Sequence, residues 1–274
     1  MRQEQAKLYL SKELRLVIDS KTGSKHTSLA MDGSKYQEDY HIVHVPGVHQ
    51  CYSWDCGLAC VSMVLRALGE SPSEVYTKDL DAMECGESIW TIDLAYILRR
   101  HNIPLEFYTI TLGVNSDHSK KPFYQSHFNR DESRVNLLFQ KSTQQGICVQ
   151  ERSLTIEELL NHVQQDSPAI VLVNQSYLHC LSCADSKARK CWDCLTLCQK
   201  PYCGHFVVLC GFDRTKDLVF YRDPDSNCPE VCQIHTKAFD KARFSDGTDE
   251  DVIIILRHEG NAGGLADAGM GDAT

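Results

Sequence analysis

The sequence predicts an α+β fold with an N-terminal helical part and a C-terminal antiparallel sheet. Two observations predict it. Apolar residues recur at helical spacing early in the chain, as at Leu58, Val61, Val64, Leu65 and Leu68. The later part carries strand-like runs instead: AIVLV, HFVVLCGF, LVFYRDP and DVIIILR. Helices therefore come first and most strands later, with no internal repeat and no regular βαβ series.

The elements follow in order. Residues 1–40 are polar, with one helical piece, EQAKLYLSKELRLV, and form an N-terminal extension. HIVHVPGV (41–48) alternates and ends at Pro-Gly, which predicts a short strand into a turn. The helix through Leu58 and Leu68 has Asp55 at its N-cap and Gly69 at its C-cap. A second helix is predicted over 89–103 and a strand over 105–113. Residues 114–130 are polar and read as a loop or insertion, and 131–141 as helix. SLTIEELLNHVQQDSPAIVLVN (153–174) opens with a Ser/Thr helix start and closes as a hydrophobic strand. HFVVLCGF and LVFYRDP are strands joined by DRTKD, and DVIIILR (251–257) is the last strand. The domain is thus expected over 41–257, with a cysteine-rich insertion at 179–203 and a disordered Gly/Ala-rich tail at 258–274.

The chain has 274 residues and a formal net charge of −9, which argues against a nucleic-acid partner. No apolar run approaches the ~20 residues needed to span a bilayer. The N-terminus carries no apolar signal region. Fourteen cysteines are then read as mostly reduced thiols of a cytoplasmic chain.

The stretch QCYSWDCGLAC places Cys56 in the first turn of a helix, where orphan N–H groups and the helix dipole favour a thiolate. Gly57 beside it leaves room for a substrate. A nucleophilic thiol needs a base and an orienting group. His205 opens one strand and Asp223 ends the next, so a hairpin of the two presents both together; Asn227 is the runner-up to Asp223. Gln50 and the Cys56 backbone N–H are candidate oxyanion donors. Cys51 and Cys60 read as bystanders. In the insertion, Cys180, Cys183, Cys191 and Cys194 follow C-x2-C-x7-C-x2-C, a set suited to structural zinc.

QCYSWDCGLACVSMVLRALG resembles the active-site opening of papain-like cysteine peptidases, above all the branch that processes bacteriocin leader peptides. In that resemblance Gln50, Asp55, Cys56 and Gly57 match the opening, and His205 and Asp223 match the histidine and the aspartate before proline. WDCGLACVSMVLRALG, GHFVVLCGFD and YRDPDS together resemble more closely the eukaryotic family named for a guanylyl cyclase domain. The resemblance implies a papain-like fold. The main expectation is a thiol hydrolase acting on a peptide or small amide through Cys56, His205, Asp223 and Gln50. The alternative implied by the family name is a guanylyl cyclase that converts GTP to cyclic GMP with a divalent metal. A third expectation is an inactive scaffold that binds a protein partner.

Overall fold

The computed structural model describes residues 38–183, 202–225 and 231–256. The helical piece EQAKLYLSKELRLV, the tail, Asn227 and residues 184–201 of the cysteine-rich insertion lie outside the described residues. The elements used below are β1 (Tyr40–Ile42), α1 (Cys56–Ala67), α2 (Thr91–Arg100), β2 (Leu105–Thr109), α3 (Phe128–Lys141) and β3 (Cys148–Glu151). They continue as α4 (Ile156–Val163), β4 (Ala169–Asn174), β5 (Gly204–Asp213), β6 (Leu218–Arg222), β7 (Cys232–His235), α5 (Thr236–Arg243) and β8 (Val252–Ile255).

The fold is α+β, with a helical region first and one sheet in the order β3-β2-β8-β4-β5-β6-β7; β1 pairs with β5 past the end of β4. All pairings are antiparallel except β2 with β3, so the sheet is mixed and the all-antiparallel expectation is corrected. The connection from β2 to β3 runs through α3, the kind of crossover that a parallel pair needs.

Side chains alternate across a strand, and the apolar runs of β4, β5 and β8 feed both faces. Ile170 and Leu172 of β4 join the core beneath α1 and α2, while Val171 and Val173 join the core beneath α4 and α5. The long stretch of unbroken hydrophobicity in these strands follows from burial on both sides.

Several elements differ from expectation. β1 stops at Ile42, short of Pro46. Residues 116–120 and 122–125 form short helical turns where a loop was expected, and α3 starts at Phe128. β3, β7 and α5 carry too few apolar residues to announce themselves, and neighbouring elements order them. Among the described residues no helix is long and apolar enough to cross a membrane.

Candidate active site

Cys56 begins α1, a helix whose first ten residues are all buried. Asp55 occupies the N-cap position, but its side chain does not cap the helix. It turns back instead and accepts hydrogen bonds from the backbone N–H of Cys51 and of Tyr52, both at 3.0 Å. This closes the 51–55 segment into a tight turn that fixes where α1 starts. Gly57 serves close packing and opens no substrate space. A Cβ there would stand 2.9 Å from Leu94 Cδ2 and 3.2 Å from Phe206 Cδ2. The missing side chain lets α1 lie against α2 and β5.

β5 and β6 form the expected hairpin, with Val208 opposite Arg222. It brings His205 Nε2 to 2.8 Å from Asp223 Oδ1. The same carboxylate oxygen accepts from the backbone N–H of Asp225 at 3.0 Å. Cys56 also hydrogen-bonds the His205 side chain. Burial pulls the His205 pKa down, but the hydrogen bonds to Asp223 and Cys56 outweigh it and raise it to about 10. The segment before α1 docks on the same hairpin end. Gln50 N–H donates to Pro224 O at 3.0 Å, and Arg222 Nε donates to Val45 O at 2.8 Å. The Gln50 side chain donates its Nε2 to Tyr52 O at 2.8 Å. Cys51 is exposed, whereas Cys60 is buried and burial raises its thiol pKa well above the usual value.

Cys56 lines a cleft of about 260 Å³ together with Trp54, Trp90, Tyr124, Phe206 and Asp251. Trp90 and Tyr124 lie with ring centroids 5.2 Å apart, and Tyr124 stacks on His118 at 4.4 Å. One wall thus comes from the segment expected to be a loop. The same lining includes three carboxylates, from Glu87, Asp249 and Asp251, and no lysine or arginine among the described residues. Asp249 accepts from Asn115 Nδ2 at 3.1 Å. Burial, reinforced by Asp249, pushes the Asp251 carboxyl up to about 8. Its Oδ1 is buried and makes no close hydrogen bond among the described residues, while the Thr91 and Thr109 hydroxyls interact with the carboxyl and oppose the rise. Asp249 and Glu250 hold positive φ, 47° and 56°, a turn that delivers Asp251 to the start of β8. Sequence reading passed over these acids, because a run such as GTDED before a strand reads as a turn.

Of the metal-type cysteines, Cys180 and Cys183 are described, and Cys191 and Cys194 lie outside the described residues. Cys180 and Cys183 meet Cys232, with the three Sγ atoms within 4.8 Å of one another, a cluster capable of holding a metal. Cys232 stands on β7, outside the C-x2-C-x7-C-x2-C set.

Comparison with known proteins bears on what the cleft does. The family described as Guanylylate cyclase matches residues 45–255. Guanylyl cyclase 1 of Arabidopsis thaliana is 39% identical over 217 residues, covering 77% of this chain and 75% of the plant protein. A solved structure of a C39-like peptidase from Bacillus anthracis covers 79% of this chain and 98% of its own, at 14% identity and a TM-score of 0.38. These findings correct the main expectation of a thiol hydrolase acting on peptide or amide bonds. The match across most of the chain is to cyclases, and the likeness to the peptidase is too slight to carry a reaction across. On the match over residues 45–255 and the identity to the plant protein, the chain belongs to the guanylylate cyclase family.

Proposed function

We propose that this protein converts GTP to cyclic GMP in the cleft beside Cys56. The observation that carries the reading is the 39% identity over 217 residues to a protein named Guanylyl cyclase 1; the family match over residues 45–255 includes every residue that lines the cleft. In the reaction the ribose 3′ oxygen forms a bond to the α-phosphorus, the bond from that phosphorus to the bridging oxygen breaks, and pyrophosphate leaves. The 3′ hydroxyl gives up its proton to solvent water, and pyrophosphate keeps the electron pair of the broken bond.

The residues suit parts of this task. Trp54, Trp90 and Tyr124 offer flat apolar faces on which a guanine base stacks. Triphosphate charge has no lysine or arginine to meet among the described lining residues. The donor set present is hard oxygen, and the buried Oδ1 of Asp251 is the kind of acceptor a cation completes. Asp249 and Asp251 would hold a divalent ion, which when bound offsets phosphate charge. His205, held toward its charged form by Asp223 and Cys56, stands behind the same wall. We read the layout as papain-like and turned to nucleotide chemistry. The support is α1 starting at Cys56 against β5, with His205 and Asp223 at the hairpin's end.

The test is direct. Purified protein is incubated with GTP and Mg²⁺ or Mn²⁺, and cyclic GMP is measured by mass spectrometry. Product from the wild type, and its loss in Asp251→Asn with the fold intact, is the expected result. No product at high enzyme concentration with either ion would overturn the reading and leave a binding scaffold.

A further inference from the structure

We propose that Cys180, Cys183 and Cys232 bind one zinc-type soft metal ion, which staples the chain after β4 to the edge strand β7. The inference stands apart from the cleft and from GTP chemistry.

The geometry carries it. Zinc bonded to sulfur at about 2.3 Å in a tetrahedron sets its thiolates about 3.8 Å apart. Cys183 Sγ and Cys232 Sγ lie 3.6 Å apart, and all three sulfurs fall within 4.8 Å of one another. A disulfide would need about 2.05 Å. Among the described residues no cysteine forms one.

The backbone is organised around the cluster. Leu181 N–H donates to Gln233 O at 2.8 Å, so the C-x2-C turn adds onto β7 beside Cys232. The Gln233 side chain donates to Ser182 Oγ across the same junction. Backbone N–H groups of Ser182 and Gln233 donate to the Cys180 sulfur. Sulfur that accepts backbone N–H bonds while ligating is ordinary support for a metal–thiolate centre. Three thiols brought together this way beside an apolar core, with Cys180 and Cys232 buried against Tyr221 and Ile234, favour a cation among them.

The cluster also has a structural task. β7 pairs with β6 on one side, and its other side is met by the C-x2-C turn. A few backbone bonds from a short turn hold such an edge weakly, and a metal adds ligand bonds that unfolding must break. Three protein sulfurs leave one tetrahedral position, and sulfur counting reports what fills it.

The experiment uses the full chain, purified under reducing conditions without chelator. Elemental analysis should find about one zinc per chain, and X-ray absorption should find at least three sulfur neighbours at the zinc distance. Cys232→Ser should lose most of the metal, and Cys183→Ser, at a half-exposed position, should do the same if the first variant fails to fold. Chelator should lower the melting temperature of the wild type and leave the metal-poor variant unchanged. Wild-type protein without metal would overturn the proposal. So would full metal content in both folded variants, or a Cys183–Cys232 disulfide in protein isolated with its metal content intact.

Discussion

Gly57→Ala tests the packing that holds Cys56 in place. Two effects of opposite sign meet at this position. Alanine favours a helix over glycine by up to about 1 kcal/mol, and Gly57 is the second residue of α1. The new Cβ, however, would stand 2.9 Å and 3.0 Å from the two methyl carbons of Leu94 and 3.2 Å from Phe206 Cδ2. Leu94 is a flexible side chain, yet it is fully buried in a close-packed core. Overpacking of this kind costs about 1–3 kcal/mol. Taken at the middle of that range, about 2 kcal/mol, the clash outweighs a helix gain of up to about 1 kcal/mol and leaves a net loss of about 1–2 kcal/mol. For a domain of this size that lowers the melting temperature by about 2–8 °C. Gly57→Val, bulkier and without the helix gain, should fall further. Thermal melts followed by circular dichroism read the shift. Because Phe206 both meets Gly57 and lines the cleft, a labelled-histidine spectrum should show His205 displaced in the same variants. An alanine variant that melts at or above the wild type would refute the reasoning, since helix propensity would then have won and the contact would be slack.

Three further outcomes follow from the same geometry. His205 has its pKa raised to about 10 from an unfolded value near 6.5, so its contribution to stability is full below about 6.5 and is lost as pH rises through about 10. Asp223→Asn should flatten that loss in pH-dependent melts and move the His205 titration, followed by NMR, to lower pH. Asp251 is also raised, to about 8, so its contribution is present below about 4 and is lost as pH climbs through 8. Asp251→Asn should therefore raise the melting temperature at neutral pH without divalent ion, and should abolish any stabilisation that Mg²⁺ or Mn²⁺ gives the wild type; a variant less stable than the wild type would count against the buried-acid argument. Asp55→Ala removes the acceptor of two backbone N–H groups at a fully buried site, at a cost of about 2–3 kcal/mol, and a melt within 1 °C of wild type, on the order of measurement error, would contradict that role.

What could be read from the sequence was whatever local pattern specifies. The spacing from Leu58 to Leu68 gave α1, and the turn residues between two apolar runs gave the β5–β6 hairpin. Hairpin topology places His205 and Asp223 side by side, because one starts its strand and the other ends the next. Local pattern says nothing about groups brought together by the sheet. Cys232 sits 49 residues from Cys183 and meets it only because the C-x2-C turn adds to β7. Asp251 enters the cleft because β8 is inserted between β2 and β4, an order that no neighbouring residue announces. Tyr124 lies in a polar stretch, and its packing on Trp90 and His118 is a tertiary fact. Asp55 shows the limit of a correct residue with the wrong partner: an acid before a helix reads as a cap, but the two exposed-segment N–H groups behind it compete better for its carboxylate.

The same distinction explains why the strongest motif pointed to the wrong reaction. The order Gln50, Cys56, His205, Asp223 records how a chain reaches a helix start beside a hairpin end, and that is a property of the fold. The reaction depends on what the opposite wall presents. Here that wall is aromatic and acidic, with a raised carboxyl at Asp251. The Gln50 amide, meanwhile, is bonded within its own loop. A neutral amide substrate would gain little from three carboxylates close by, whereas a nucleotide arriving with a divalent cation needs hard oxygen donors and a flat surface for its base. The wall's chemistry and the family match therefore point the same way, and the decisive comparison sets Asp251→Asn against His205→Gln in one assay. If GTP cyclisation depends on Asp251 more steeply than on His205, the acidic wall carries the reaction and the motif residues chiefly hold the cleft in shape.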